Sequence, residues 1–208
     1  THTVGIYSDR NFDGERYTAS ATENYRPDAA AVTVTREVVT DAACNSCHGD
    51  LVLHGRRRGV ALCITCHQPQ TADPESGNSV DMPYMIHRIH MGAKLTTPYT
   101  IIGYRGSEHV YSDGAGNGVH FPQEQNNCTK CHTGGANSDL YKERPSRLIC
   151  GSCHDDIDFT QTDQNAADYH GSGAVGGPQA DDSNCTSCHN AAAIDSVHFV
   201  GQISPTAQ

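Results

Sequence analysis

Tryptophan is missing from this 208-residue chain, and apolar residues make up only 36% of it. Globular domains usually reach about 45–50%. Side chains this polar cannot fill a core of the size the chain length calls for. The fold is therefore expected to be rich in loops and to borrow apolar surface from a bound group. No stretch is long or apolar enough to span a membrane as a helix, and no signal-peptide pattern is visible in the chain as given. Positive charge is also scarce: 14 Lys and Arg face 24 Asp and Glu, a formal net charge of −10. That balance excludes nucleic acid and anionic membrane surfaces as natural partners. It admits electrostatic steering of cationic partners, or serves only to keep the protein soluble.

No cysteine is left over from a single pattern. The ten cysteines fall into five copies of Cys-x-x-Cys-His: Cys44, Cys47 and His48; Cys63, Cys66 and His67; Cys128, Cys131 and His132; Cys150, Cys153 and His154; Cys185, Cys188 and His189. This is the spacing of c-type haem attachment. Two thiols add to the vinyl groups of a haem, and the adjacent His takes the proximal position on the iron. Zinc sites and redox dithiols also use Cys-x-x-Cys, and disulfides also use even cysteine counts. None of them needs His directly after the second Cys. With 13 His in 208 residues, five such matches by composition alone are about a one-in-a-million event. Five covalent haem c groups are expected, and they are the missing apolar surface. Haem attachment to paired thiols takes place outside the bacterial cytoplasm, so an exported protein is expected, at the cell surface or in the periplasm.

Residues 1–43 carry no cysteine and read as a β segment, with Thr3–Tyr7 and Ala31–Val39 rich in strand formers. Asp9, Asn11, Asp13 and Gly14 look like the opening of a calcium loop, but Ser20 stands where the closing Glu belongs. A hairpin turn is the better reading. Residues 44–208 are organised by the haem motifs, whose uneven spacing excludes a regular repeat array. Met82–Met91 reads as a short helix with Pro83 in its first turn and Gly92 at its end. Tyr99–Tyr104 reads as extended. Ser112–Gly118 and residues 171–184 read as flexible loops, and the tail after Ile203 as frayed.

Each haem iron has a second axial position, and its occupant separates electron carriage from catalysis. Eight histidines lie outside the motifs: His2, His54, His87, His90, His109, His120, His170 and His198. The supply exceeds the five needed for bis-His ligation. The distal set is read as His54, His87, His90, His170 and His198. His87 and His90 stand at i and i+3 and share one side of their helix. His2 is read as free or as a ligand given to a neighbouring molecule. Met82, Met85 and Met91 are the minor alternatives. Arg56, Arg57, Arg58, Arg105, Arg144 and Arg147 are candidate partners for haem propionates, although the 56–58 run also reads as a solvated basic face.

The runs Cys44–Gly49, Leu53–Arg57, Leu62–Pro69, Met85–Gly92, Ile102–Arg105, Asn127–His132 and Arg144–Asp156 together resemble the outer-membrane multihaem cytochromes of the MtrC/OmcA type. The resemblance covers residues 44–198, and residues 1–43 resemble the end of that family's split β-barrel domain. It implies a multihaem c-type cytochrome fold, mostly loop with short α-helices packed around five haems, plus a small N-terminal β segment. It supports the same five distal histidines and leaves His109 and His120 as loop residues. It also implies transfer of respiratory electrons to metal oxides, soluble metals or flavins, with other multihaem cytochromes or further copies of the chain as partners. One alternative is a subunit of a polymeric cytochrome filament. Another is a multihaem reductase with one open haem; no Cys-x-x-Cys-Lys motif is present to support it.

Overall fold

The computed structural model describes residues 1–172 and 175–198. The expected frayed tail after Ile203 lies outside the described residues. The chain divides into two compact units. One takes Thr1–Pro69 with Thr129–Leu140, and the other takes Gln70–Cys128 with the chain from Tyr141 onward.

The first unit opens with a long antiparallel ribbon, β1 (His2–Phe12) and β2 (Glu15–Tyr25). Asp13 and Gly14 form its turn with φ of 52° and 80°. Two consecutive positive φ values match the right-handed twist of the strands, which is why Asp-Gly serves here. The residues that resemble a calcium-loop opening are therefore a hairpin, as the preferred reading had it. Ala31–Val39 is not a strand. Its partners are loop groups: Glu37 N donates to Asn137 Oδ1, and Asn137 N donates to Glu37 O. Strand propensity is expressed only where a neighbouring edge is offered, and none is offered here.

Helix α1 (Asp41–His48) follows, capped by Thr40, whose hydroxyl accepts from Ala43 N. Strands β3 (Val52–Leu53) and β4 (Arg57–Arg58) make a small hairpin, and α2 (Val60–Cys63) comes next. Asp41 ties α1 to α2 by accepting from Val60 N at 2.6 Å. The ribbon packs on α2 through Gly5, where a Cβ would stand 2.6 Å from Leu62 Cδ1, so a larger residue there would require the Leu62 side chain to shift.

The second unit is built on α3 (Met82–Met91), the expected helix. Pro83 sits in the first turn, and Gly92 ends the helix with φ 47°. Its apolar side forms a core with Leu95 and with Tyr99 on β5 (Pro98–Ile102), which pairs with β6 (Glu108–Asp113). The expected flexible loop 112–118 is a tightly bonded turn. Asp113 Oδ1 accepts from Ala115 N and Asn117 N, and Ser112 is fully buried. The remaining elements are short: α4 (Leu140–Glu143), α5 (Arg147–Cys150), the two-residue strands β7 (Gly171–Ser172) and β8 (Val175–Gly176), α6 (Cys185–Cys188) and α7 (Ala191–Val197). Strand structure thus exceeds the expected N-terminal segment, with three further small hairpins among the described residues. Buried hydrophobic residues are few: Ala43, Leu62, Met85, Leu95 and Tyr99.

Candidate functional site

Each Cys-x-x-Cys-His motif lies on or against one turn of helix, and this is what places its three side chains together. Cys44, Cys47 and His48 are all within α1. Cys63 ends α2, and His67 N donates back to Cys63 O at 3.0 Å. Cys150 ends α5, capped by Ser146, and His154 N donates to Cys150 O at 2.8 Å. Cys185 and Cys188 bound α6, and His189 N donates to Cys185 O at 2.8 Å. Cys128 begins a single 3-10 turn that carries the third motif. Positions i, i+3 and i+4 share a helix face. Two thiols and an imidazole therefore project to one side in each case, as one ring held at two edges and on its iron would need.

None of the ten cysteines is paired in a disulfide, so disulfides do not account for them. Among the described residues no three His, Cys, Asp or Glu side chains converge as a cage for a single ion, so the zinc reading finds no donor set. The donor chemistry fits haem c instead.

The distal candidates supply the second half of that fit. His54 faces His67 with ring centroids 6.1 Å apart and planes 28° apart. His170 faces His189 at 6.0 Å and 40°. Two imidazoles on opposite sides of one metal span about 6 Å, being two metal–nitrogen bonds of about 2 Å plus the inner parts of both rings. In both pairs one member belongs to a motif and the other to the distal set. Loss of water contact, aided by the positive fields of His67 and Arg57, holds the His54 imidazole below its ordinary pKa. Burial does the same for His132. Neutral imidazole is the ligating form.

Three distal candidates have their ring nitrogens sorted by backbone carbonyls. His90 donates Nδ1–H to Ile86 O at 2.8 Å, His198 to Ile194 O at 2.9 Å, and His170 to Gly177 O at 3.1 Å. A carbonyl can only accept, so Nε2 keeps the lone pair a metal would take. His87 and His90 lie on α3, with Phe121 edge-on to His90. His198 caps the end of α7, whose Asp195 is held by Tyr141 Oη at 3.2 Å and Lys142 Nζ at 3.4 Å.

The other histidines fall away from this pattern. His109 lies in β6 rather than in a loop, with Ser107 Oγ 3.2 Å from Nε2. His120 is an exposed loop residue. His2 stands in β1 beside Tyr25. Met85 is buried in the core of α3 rather than turned to a ligand position. The arginines of the 56–58 run have protein partners. Arg56 pairs with Asp9, Arg57 donates to Tyr7 Oη at 2.7 Å, and Arg58 pairs with Asp50 at 2.9 Å. Arg147 pairs with Asp182 at 2.9 Å, and Arg105 lies over the Tyr104 ring.

One arrangement was missed at the level of sequence. Arg88, between the two histidines of α3, donates to Asp155, the residue after proximal His154, at 3.0 Å. Both side chains are almost completely buried, 4% and 6% exposed. Only the unusual Arg at the centre of an apolar helix pointed to it.

Comparison with known proteins places these features. Residues 36–199 match the family model described as outer membrane cytochrome MtrC/MtrF-like, domains II/IV. The chain is 29% identical over 167 residues to the multiheme cytochrome MtrC of Shewanella baltica strain OS185, covering 77% of this chain and 19% of that protein. Among solved structures it resembles the outer membrane decaheme cytochrome OmcA, with TM-score 0.58 and 31% identity over 73% of this chain and 24% of that one. It shares the fold of MtrC from Shewanella baltica OS185, with TM-score 0.59 and 24% identity over 90% of this chain and 25% of that one. The chain therefore spans about a fifth to a quarter of the length of these relatives.

Proposed function

The chain belongs to the outer membrane cytochrome MtrC/MtrF-like family, domains II/IV, and on that premise we propose that it carries electrons along five covalently attached c-type haems. The observation that carries the reading is the pair of facing imidazoles, His54 with His67 and His170 with His189, each at the span of two axial ligands on one metal. When bound, a haem supplies a one-electron ferric/ferrous couple whose potential follows its axial ligands and surroundings. In this reading the residues have three tasks. Cys44, Cys47, Cys63, Cys66, Cys128, Cys131, Cys150, Cys153, Cys185 and Cys188 anchor the five rings. His48, His67, His132, His154 and His189 take the proximal positions. His54, His87, His90, His170 and His198 take the distal positions and close each iron to substrates. Residues 1–43 form a β segment ahead of the pentahaem region 44–208.

The MtrC/MtrF-like family and the relative OmcA are outer-membrane cytochromes. The same setting is proposed here: an exported protein at the outer membrane or cell surface, passing electrons between other multihaem cytochromes and external metal oxides, soluble metals or flavins. No helix among the described residues is long and apolar enough to cross a membrane.

Low-temperature EPR of the oxidised protein, with haem quantified in the same sample, tests the reading. Five haems per chain, all low-spin, are expected. A high-spin signal equal to one haem in five would mean an open distal site and would move the assignment toward a reductase.

A further inference from the structure

We infer that the β1–β2 ribbon is a strap that holds His54 in its ligand position, with Tyr7 and Asp9 as the positioning residues. This rests on the reading of His54 as the distal partner of His67. His54 begins the connection between β3 and β4, each only two residues long. Its φ is 48°, a left-handed conformation that a residue with a Cβ adopts only when its surroundings impose it. A two-stranded hairpin of this size does not hold itself together in water. Something outside it must fix the loop.

The ribbon is in place to do so. Each of the three arginines at 56–58, in the hairpin that His54 opens, is engaged by it. Arg56 ion-pairs with Asp9, which Arg16 also holds at 3.0 Å. Arg57 donates to Tyr7 Oη at 2.7 Å, stacks 4.4 Å over that ring, and brings a second guanidinium nitrogen to 3.5 Å from the carbonyl of His54 itself. Arg58 N donates to Ser20 Oγ at 3.2 Å, and its guanidinium donates to Thr18 Oγ1. The register pairs Tyr7 with Ser20 and Asp9 with Thr18, so all four contacts come from one ribbon face. Gly5, on that same face, presses on Leu62 and Thr65, which bracket Cys63 of the second motif. One ribbon face, eleven residue pairs long, thus touches both the segment that carries His67 and the hairpin that carries His54, and through these contacts it sets the gap between them. The ribbon precedes the residues 36–199 that match the family model.

Carbon monoxide reports the strap directly. It enters a six-coordinate ferrous haem only when the distal ligand lets go, so its binding rate measures how firmly that ligand is held. The experiment uses the full haem-loaded chain. In the double variant Tyr7→Ala/Asp9→Ala, one haem in five should bind carbon monoxide several-fold faster than in the parent, with the other four unchanged. Tyr7→Phe keeps the ring under Arg57 and should fall between the two. Val4→Ser/Ile6→Ser, on the opposite ribbon face, should match the parent. His54→Ala gives the reference for a fully open site. If His54→Ala opens one haem while the Tyr7/Asp9 variant keeps the parent's rates, the strap is wrong and the ligand assignment stands. If His54→Ala leaves all five haems low-spin and slow, the ligand assignment fails and takes the strap with it. Equal acceleration at all five haems in the double variant also overturns the strap, because it marks general loosening.

Discussion

Arg88 shows how a charge can be stable in the interior of a molecule with so little core. Its guanidinium lies 5.7 Å from the Tyr84 ring and 5.4 Å from the Tyr99 ring, on donor terms with Asp155 and Thr97. Asp155 in turn accepts from Thr96 N and Thr97 N. Each charge is covered by the other and by hydrogen bonds, so losing one partner strands the other in low dielectric. Arg88→Ala or Asp155→Ala should each cost about 3–5 kcal/mol, whereas Arg88→Met/Asp155→Leu should stay near the parent's stability. Denaturant unfolding of the haem-loaded protein measures this, and single variants as stable as the parent would refute it. Asp73 makes the matching case for pH. Ile102 N donates to it at 2.9 Å and Ser76 Oγ at 2.5 Å, and its carboxyl is held down to about 2. A depressed carboxylate pKa contributes stability that is complete above the ordinary value of about 3.9 and is lost as pH falls through the folded value. The gap between parent and Asp73→Asn should therefore be open at pH 5 and close as the pH nears 2. A gap that stays constant across that window would rule out Asp73 as its source.

At the scale of elements, what could be read from sequence was what local chemistry decides. Pro83 and Gly92 bound α3 because one fits a first helical turn and the other accepts a left-handed end. Asp13-Gly14 closes the ribbon for a similar reason. The haem motifs were legible because i, i+3 and i+4 define one helix face whatever surrounds it. Ala31–Val39 misled, since its alternation needs a strand edge that only tertiary structure can supply. The protein partners of Arg56 and Arg57 could not be read from sequence, since Asp9 and Tyr7 lie 47 or more residues away. The approach of His54 to His67 was not legible either, because the left-handed backbone at His54 is not a local preference of histidine. Gly92 offers an element-level check. A Cβ there would stand 2.1 Å from Val119 O, and φ is positive as well. Gly92→Ala should destabilise by more than about 1 kcal/mol and should loosen the end of the helix that bears His90. Thermal unfolding of the loaded variant is the measurement, and an unchanged midpoint would mean that Val119 gives way without cost.

For the whole molecule, the balance between buried and exposed apolar groups decides what holds it together. Ile64 and Leu148, both near motif cysteines, are exposed, while the buried hydrophobic residues among those described are Ala43, Leu62, Met85, Leu95 and Tyr99. Folding costs about 1–2 kcal/mol of backbone entropy per residue. Five buried apolar side chains and short hairpins do not offset that for a chain of 208 residues. Five porphyrins bonded through thioethers and two imidazoles each would supply apolar area at the motif turns and cross-link segments distant in sequence, as structural metals do in small domains. Export without haem attachment, or replacement of all ten cysteines by serine, should then give a chain with no cooperative unfolding transition. Replacing only Cys185 and Cys188 should remove one haem and leave the α3 core intact, because Arg88, Asp155 and Tyr99 share no contact with that motif among the hydrogen bonds and ring contacts described. Circular dichroism against temperature separates the two cases. A sharp transition in the fully haem-free chain would show that the polypeptide carries its own fold, and the haems would then be cargo rather than core.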